Sequence, residues 1–149
     1  MGIIDNTTRF VTVIALPNRQ VQFFIPPFLD QIVFRHGPPE IPHCDEAPEF
    51  MSELVRELFA ITETTLTTTM GHNARSNEII EVFWRFWNRC MNLLPDDQYN
   101  QWPRFVSRIV FAYNTAPHQS LGGISPYELY HGVPARDTFS RVLTDSMDI

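Results

Sequence analysis

The sequence predicts a single α/β layered domain, and two observations support this fold class. Hydrophobic residues make up 44% of the 149 residues, which is enough for one buried core. Short β-branched runs alternate with segments of helical period, and several helical segments then follow in series. No internal repeat or linker divides the chain. We therefore expect one layered domain followed by a loose C-terminal tail.

Three runs of residues predict strands. Residues 9–16 read RFVTVIAL, a β-branched and aromatic run that Pro17 ends. Residues 41–44 form a short apolar run, which we interpret as a buried strand that places Asp45 at its end. Residues 62–69 are rich in threonine, which favours an extended conformation.

The first helical segment is interrupted by two prolines. Residues 21–34 have a helical period, but Pro26 and Pro27 lie in the middle of them. Each proline removes a backbone donor and crowds the preceding turn, so we expect the pair to break or kink the helix. The stretch from His36 to Pro39 is expected to end this element.

Four further helices are predicted, the first of them beginning at Pro48. Its predicted apolar face consists of Phe50, Met51, Leu54, Val55, Leu58 and Phe59. Ser76 or Asn77 is expected to cap a long helix that runs to about residue 94. Another helix is expected over residues 102–114, and Ser125-Pro126 predicts a short one that ends near Gly132.

The composition excludes several functional classes. The chain has 17 acidic residues against 11 arginines and a net charge of −6, which argues against binding DNA by overall charge alone. It contains no lysine, so a lysine general base and a Walker-type phosphate loop are excluded. Two cysteines are too few for a disulfide scaffold. No apolar run approaches the roughly 20 residues that span a bilayer, so we expect a soluble intracellular domain.

Two carboxylates stand out by their positions. Asp45 follows a predicted strand, at the sheet edge where α/β folds usually place their sites, and Glu81 lies one turn inside the predicted long helix. Carboxylate oxygens are the ligands that hard divalent cations prefer. Glu81 also belongs to a stripe of polar residues spaced by three and four, which consists of Asn77, Glu78, Glu81, Arg85, Asn88, Arg89 and Asn92. In the alternative interpretation, Asp45 caps the next helix and Glu81 pairs with Arg85 on a solvated face.

The spacing and the motifs around this pair resemble the integrases of retroviruses and retrotransposons. Between Asp45 and Glu81 lie 35 residues, the gap that separates the last two acids of that family. HGPPEIPHCDEAPEF resembles the integrase pattern G-x-P-x-x-I-x-S-D-x-G-x-x-F, and GHNARSNEIIEVFWRFWNR resembles H-P-Q-x-N-G-x-x-E-R-x-N-R. WPRFVSRIVFAYNTAPHQSLGGISPYELYHGVPAR is similar to the end of integrase cores from gypsy-type long-terminal-repeat retrotransposons. RFVTVIAL, preceded by Ile3-Ile4-Asp5, matches the second and third strands of the family.

The resemblance implies a ribonuclease-H-like integrase core over residues 1–136, with a mixed sheet flanked by helices, and a tail over residues 137–149. It also implies that three carboxylates hold two Mg²⁺ or Mn²⁺ ions for 3′-end processing and DNA strand transfer. Asp45 would be the second of these acids and Glu81 the third. The residues that the resemblance places near DNA are Arg75, Asn77, Arg85 and Arg89.

The first acid and the first strand of the family have no counterpart in this chain. Asp5 matches a lesser position at the end of the family's second strand, so the first catalytic Asp is expected more than a dozen residues before Met1. Its loss is expected to weaken metal binding and to leave this N-terminally truncated chain inactive. In the family's sheet, the first strand lies between the second and the fourth, so both neighbours would lose backbone hydrogen bonds.

The resemblance further implies element ends and target DNA as partners, a homodimer formed through helices, no membrane, and action in the nucleus. Trp87 is expected in the core, whereas Trp84 is also a candidate for a partner surface. Two other interpretations stay open. One is a domesticated, non-catalytic module that binds DNA or protein, and the other is an unrelated α/β domain.

Overall fold

The computed structural model describes residues 1–18, 20–44, 52–65, 67–68 and 74–136 of the chain. The strands in this part are β1 (Gly2–Ile4), β2 (Val11–Val13), β3 (His43–Cys44) and β4 (Thr67–Thr68). The α-helices are α1 (Val21–Phe28), α2 (Phe34–His36), α3 (Glu53–Ile61), α4 (Ala74–Met91), α5 (Val106–Thr115) and α6 (Pro126–His131). A π-helical segment covers Leu29–Val33, and 3₁₀-helical segments cover Tyr99–Phe105 and Gln119–Leu121.

The four strands form two separate pairs. β1 pairs with β2 in antiparallel orientation, with Ile3 opposite Thr12. β3 pairs with β4 in parallel orientation, with Cys44 opposite Thr68. Both orientations of the expected mixed sheet are therefore present, but within the described residues the two pairs are not joined by hydrogen bonds. The single mixed sheet stays a prediction.

β1 has one paired edge and one open edge. The backbones of Met1 and Ile14 exchange two hydrogen bonds, at 2.7 and 2.8 Å. Because the hydrogen-bonding direction alternates along a strand, the amides and carbonyls of Gly2 and Ile4 point away from β2. These groups have no hydrogen-bond partner among the described residues.

Helices pack on both faces of the β1–β2 pair, which gives three layers. Successive side chains of β1 face opposite sides, so Ile3 contacts one hydrophobic cluster and Ile4 contacts the other. The buried members of the first cluster, from α1 and α3, are Phe24, Phe28, Val55 and Phe59. Those of the second, from β2, α4 and α5, are Val11, Phe83, Trp87, Met91, Val106, Ile109 and Tyr113. The α/β layering predicted from the sequence is therefore present.

The strands are shorter than the sequence predicts. Of residues 9–16, only Val11–Val13 is a strand, because Arg9 has a positive φ of 63° in the turn after β1 and cannot extend the ladder. Of residues 41–44, only the last two form a strand, and Ile41 is 56% exposed rather than buried. Of residues 62–69, Thr62 ends α3 instead of starting a strand.

Pro26 and Pro27 do not end their helix, so the expectation that they break it is wrong. α1 runs through both prolines and passes into the π-helical segment. The prolines remove the donors for the carbonyls of Gln22 and Phe23, and both of these residues are exposed, so water can supply the missing bonds. The wider π-helical turns accommodate the disturbed hydrogen-bond pattern that follows. As predicted, the run ends at residue 36, before Gly37 with a φ of 86°.

The start of α3 differs from the prediction. The helix begins at Glu53 because the Ser52 hydroxyl accepts a hydrogen bond from the Val55 amide at 3.4 Å and caps it. Val55 and Phe59 are buried as predicted, but Leu54 is 52% exposed, so its predicted place on the apolar face is wrong. The other predicted residues of this helix start, Pro48, Phe50 and Met51, lie outside the described residues.

The later helices agree better with the sequence. α4 begins at Ala74, so Ser76 and Asn77 lie inside its first turn rather than at the cap, and it ends at Met91. The helix predicted over residues 102–114 is split into a 3₁₀ segment and α5. α6 begins and ends as predicted, with Ser125 as its cap and Gly132 in the left-handed conformation after it. Residues 137–149, the expected tail, lie outside the described part.

Candidate active site on α4

Glu81 lies on the exposed face of α4, as the spacing of the polar residues predicts. Its side chain is 63% exposed, and its Oε2 is 4.0 Å from Nη1 of Arg85, one turn later. An exposed pair of this kind stabilises a helix by only about 0.3–0.5 kcal/mol, so the carboxylate remains available to a cation. The other members of the stripe whose side chains are described are exposed too: Glu78, Asn88, Arg89 and Asn92.

The opposite face of α4 fixes this orientation. Phe83, Trp87 and Met91 recur every four residues and are buried against α5 and β2. Trp87 is therefore in the core, as predicted. Trp84 is half-buried, and its indole lies directly beside Gly2 of β1, so part of its ring is used within the chain.

The second predicted acid, Asp45, lies outside the described residues. β3 ends at Cys44, so Asp45 directly follows this strand along the chain. Arg75 and Asn77 belong to the first turn of α4, but their side chains are outside the description as well. Among the described residues, no group of three or more His, Cys, Asp or Glu side chains could hold a metal ion. The complete ligand set stays a prediction.

Asp5 has a local structural role. Its Oδ1 accepts hydrogen bonds from the amides of Thr7 and Thr8, at 3.2 and 2.7 Å, and from the Thr8 hydroxyl at 2.7 Å. An aspartate that binds the backbone two and three residues ahead stabilises a turn, here the one between β1 and β2. Its carboxylate is thus engaged within the turn.

The structure also bears on the alternative interpretation of the acidic pair. Ser52 rather than Asp45 caps α3, so the capping role suggested for Asp45 is wrong for this helix. The contact between Glu81 and Arg85 on a solvated face does occur.

Asn114 is a structurally important residue that the sequence analysis missed. It is 3% exposed, and its amide binds both backbone groups of Val11: Oδ1 accepts from the amide and Nδ2 donates to the carbonyl, each at 2.9 Å. Both groups lie on the edge of β2 that faces away from β1. Asn114 therefore closes this edge as a neighbouring strand would. A polar side chain at the end of an apolar helical run is the only signal in the sequence.

Two of the four predicted DNA-contact residues lie together. Arg85 and Arg89 line a cleft of about 260 Å³ between α4 and the segment after α5. The cleft is also lined by Tyr113 and His118, which the sequence did not single out for this role. The Ser120 hydroxyl lies 3.0 Å from Nδ1 of His118 and orients its ring.

Comparison with solved structures identifies the fold. The chain is similar to the catalytic core domain of BIV integrase, with a TM-score of 0.65 and 18% sequence identity over 88% of this chain and 84% of that chain. It is also similar to the HTLV-2 integrase catalytic core domain, determined in complex with magnesium in a trimeric form, with a TM-score of 0.55 and 19% identity over 84% of this chain and 79% of that one. The chain has the fold of an integrase catalytic core.

At these identities, the integrase-core fold is what the likeness establishes. No protein-family model and no curated protein matches the chain. No helix in the described part of the chain is both long and apolar enough to cross a membrane.

Proposed function

We propose that this chain is part of the catalytic core of an integrase from a gypsy-type long-terminal-repeat retrotransposon, whose complete site processes and joins DNA ends. The observation that carries the proposal is the integrase-core fold over 88% of the chain. The exposed carboxylate of Glu81, which follows Asp45 at the family's spacing, supports it.

Asp45 and Glu81 are the proposed ligands of Mg²⁺ or Mn²⁺. Glu81 suits this role because its side chain is exposed and the nearest guanidinium nitrogen of Arg85 is 4.0 Å away. When bound, such ions activate an attacking oxygen and neutralise charge at a phosphodiester. The two residues alone supply fewer than the three carboxylates of the family's site, so we propose that this chain binds metal weakly and is inactive by itself.

We propose that Arg75, Asn77, Arg85 and Arg89 contact the DNA backbone. Arginine donates paired, charge-assisted hydrogen bonds to phosphate oxygens, and such contacts position a duplex without reading its sequence. Arg85 and Arg89 support this role because both are exposed on the same helix as Glu81.

Element ends and target DNA are the proposed partners. We further propose that a second copy of the chain binds through helices and that the protein acts in the nucleus.

We propose that a strand carrying the first catalytic Asp belongs between β1 and β3. The backbone groups of Gly2 and Ile4 support this proposal because they form an edge of β1 that has no hydrogen-bond partner among the described residues. The separation of the described strands into two pairs supports it as well. A central strand would join the pairs and bring a third carboxylate towards Asp45 and Glu81.

Joining of a donor oligonucleotide in Mg²⁺ or Mn²⁺ tests the proposed function. The transcript is first read through the bases upstream of the Met1 codon, and the chain is then assayed alone and with any in-frame upstream segment. We expect no joining by the chain alone, and metal-dependent joining once a segment with a W-x-x-D-like strand is restored.

A matched pair of variants makes this test specific. In the extended protein, Glu81→Gln should lower joining by at least roughly a hundredfold because it removes a metal ligand. Glu78→Gln, an exposed glutamate three residues earlier on α4, should leave joining unchanged. Equal activity of the two variants would contradict the proposed role of Glu81. An upstream stop together with specific DNA binding would favour the domesticated, non-catalytic module.

A further inference from the structure

The cleft between α4 and the segment after α5 has an unusual set of ionisable groups. Arg85 and Arg89 contribute two guanidinium groups, and His118 contributes an imidazole. The only carboxylate paired with these arginines among the described residues is Glu81, 4.0 Å from Arg85 and outside the cleft lining, which itself contains no acidic residue although the whole chain carries a net charge of −6. A local concentration of one sign of charge against the sign of the whole molecule favours an anionic ligand.

A third arginine adds to this positive field. Burial lowers the pKa of His118, and the nearby charge of Arg9 lowers it further. Burial raises the pKa of Tyr113, and the same arginine acts in the opposite direction on this hydroxyl. Arg9 does not line the cleft, but its positive charge lies close enough to act on both of these lining groups.

The hydroxyl of Tyr113 is the second, independent sign of a ligand. Tyr113 is 6% exposed, and its hydroxyl oxygen is buried without a hydrogen-bond partner among the described residues. The ring itself is held by Phe83 and Phe86, whose centroids lie 5.0 and 5.4 Å away. A buried donor without a partner is costly, so a position beside a cleft suggests that a ligand oxygen completes it.

The volume of the cleft and its hydrogen-bond donors indicate which kind of ligand it would bind. A volume of about 260 Å³ is below the range of about 300–1,000 Å³ typical of sites for drug-sized molecules. The guanidinium groups and the hydroxyl are all donors, which suits a compact group with several acceptor oxygens. Phosphate meets this requirement better than a carboxylate because it offers more oxygens in a tetrahedral arrangement.

We propose that this cleft binds a phosphate group, held by Arg85 and Arg89 at its rim and by the hydroxyl of Tyr113 inside it. His118 faces the same group and adds a positive charge when it is protonated. The site would take either a backbone phosphate of a nucleic acid or free inorganic phosphate. Only the first source rests on the function proposed above, in which case the cleft holds a phosphate one turn along α4 from Glu81.

The test is a titration of the 149-residue chain with inorganic phosphate at constant ionic strength, followed by NMR of the His118 ring. We expect saturable shifts of the ring signals and a rise in the pKa of His118, because a bound anion stabilises its protonated form. Arg89→Gln should weaken binding at least about tenfold, since it removes a charged donor. The control is Arg104→Gln, which changes an exposed arginine bonded to Gln101 outside the cleft and should bind phosphate like the wild type.

Tyr113→Phe separates binding from packing. The variant keeps the buried ring and removes only the hydroxyl, so the melting temperature should not fall. Phosphate affinity should fall roughly tenfold. Absence of a saturable shift at His118, or the same loss in Arg104→Gln as in Arg89→Gln, would overturn the proposal.

Competition distinguishes the two sources of phosphate. An oligonucleotide without a terminal phosphate that displaces inorganic phosphate would assign the site to a nucleic-acid backbone. Phosphate binding that this oligonucleotide does not affect would assign it to the free ion. Either result can occur whether or not metal-dependent joining is found, so failure of the phosphate site and failure of the proposed function give different observations.

Discussion

Gly2 shows how a single residue without a side chain controls packing in this fold. A Cβ atom at this position would lie 2.6 Å from Cζ2 of Trp84 and 3.1 Å from its Cη2. Both are atoms of a rigid ring on α4, so neither can move away as the end of a flexible chain would. The close approach of β1 to α4 therefore requires glycine here.

Gly2→Ala should destabilise the chain by about 1–3 kcal/mol, because the added methyl group overpacks this contact. The free energy of unfolding from denaturant titration gives the effect. The same substitution in a Trp84→Leu background should cost much less, because the smaller side chain leaves room for the methyl group. An equal cost in both backgrounds would show that the indole is not the cause.

At the residue scale, the sequence predicts which polar residues are exposed better than it predicts which groups the buried polar residues bind. The spacing of Glu81, Arg85 and Arg89 places them correctly on the exposed face of α4. The role of Asn114 could not be predicted, because the backbone that it binds lies 103 residues away along the chain. The hydroxyl of Tyr113 is a similar case, since only the fold brings it beside a basic cleft.

At the scale of elements, α5 closes one edge of the β1–β2 pair. Asn114 provides the donor and the acceptor that a further strand would offer to Val11. The edge of β2 is thus satisfied by a helix, whereas the backbone groups of Gly2 and Ile4 on the edge of β1 have no partner within the described part of the chain. This asymmetry directs further strand pairing to β1.

Asn114→Leu should destabilise the chain by roughly 2–6 kcal/mol, because it leaves a buried amide and a buried carbonyl of Val11 without partners. Asn88→Leu is the control: it changes an exposed asparagine of α4 and should alter stability by no more than about 0.5 kcal/mol. Chemical denaturation measures both variants. A similar loss in the two would contradict the role of the Asn114 amide.

Asn114→Asp gives a second measurement if the leucine variant does not fold. Burial raises the pKa of a carboxyl group in the folded state above its unfolded value of about 3.9. The penalty relative to the wild type should be full at neutral pH and should shrink as the pH falls through the folded pKa, because the protonated acid can again donate to Val11. A penalty independent of pH would contradict this account.

Element boundaries show where sequence patterns succeed and fail. α6 was predictable because its Ser125 cap and its terminal Gly132 are both local signals. The strand at residues 9–16 was overestimated because propensity does not reveal that Arg9 belongs to the turn stabilised by Asp5. Pro26 and Pro27 were overestimated as helix breakers because the tolerance of α1 depends on the exposure of its neighbouring carbonyls.

At the scale of the whole molecule, the three-layer arrangement determines which face of α4 is exposed. α1 and α3 cover one face of the β1–β2 pair, and α4 and α5 cover the other, so the polar stripe of α4 is left at the surface. The layering followed from the alternation of strands and helices in the sequence. The separation into two strand pairs did not, because it depends on which strands lie beside one another.

We propose above that Asp45 and Glu81 form two thirds of a divalent metal site. Paramagnetic broadening by millimolar Mn²⁺ in the NMR spectrum of the 149-residue chain tests this claim most directly. The account predicts that the amide signals around residues 45 and 81 broaden together, and that Glu81→Gln abolishes the broadening at both places while Glu78→Gln preserves it. Broadening at only one of the two places, or broadening that survives in Glu81→Gln, would contradict the account.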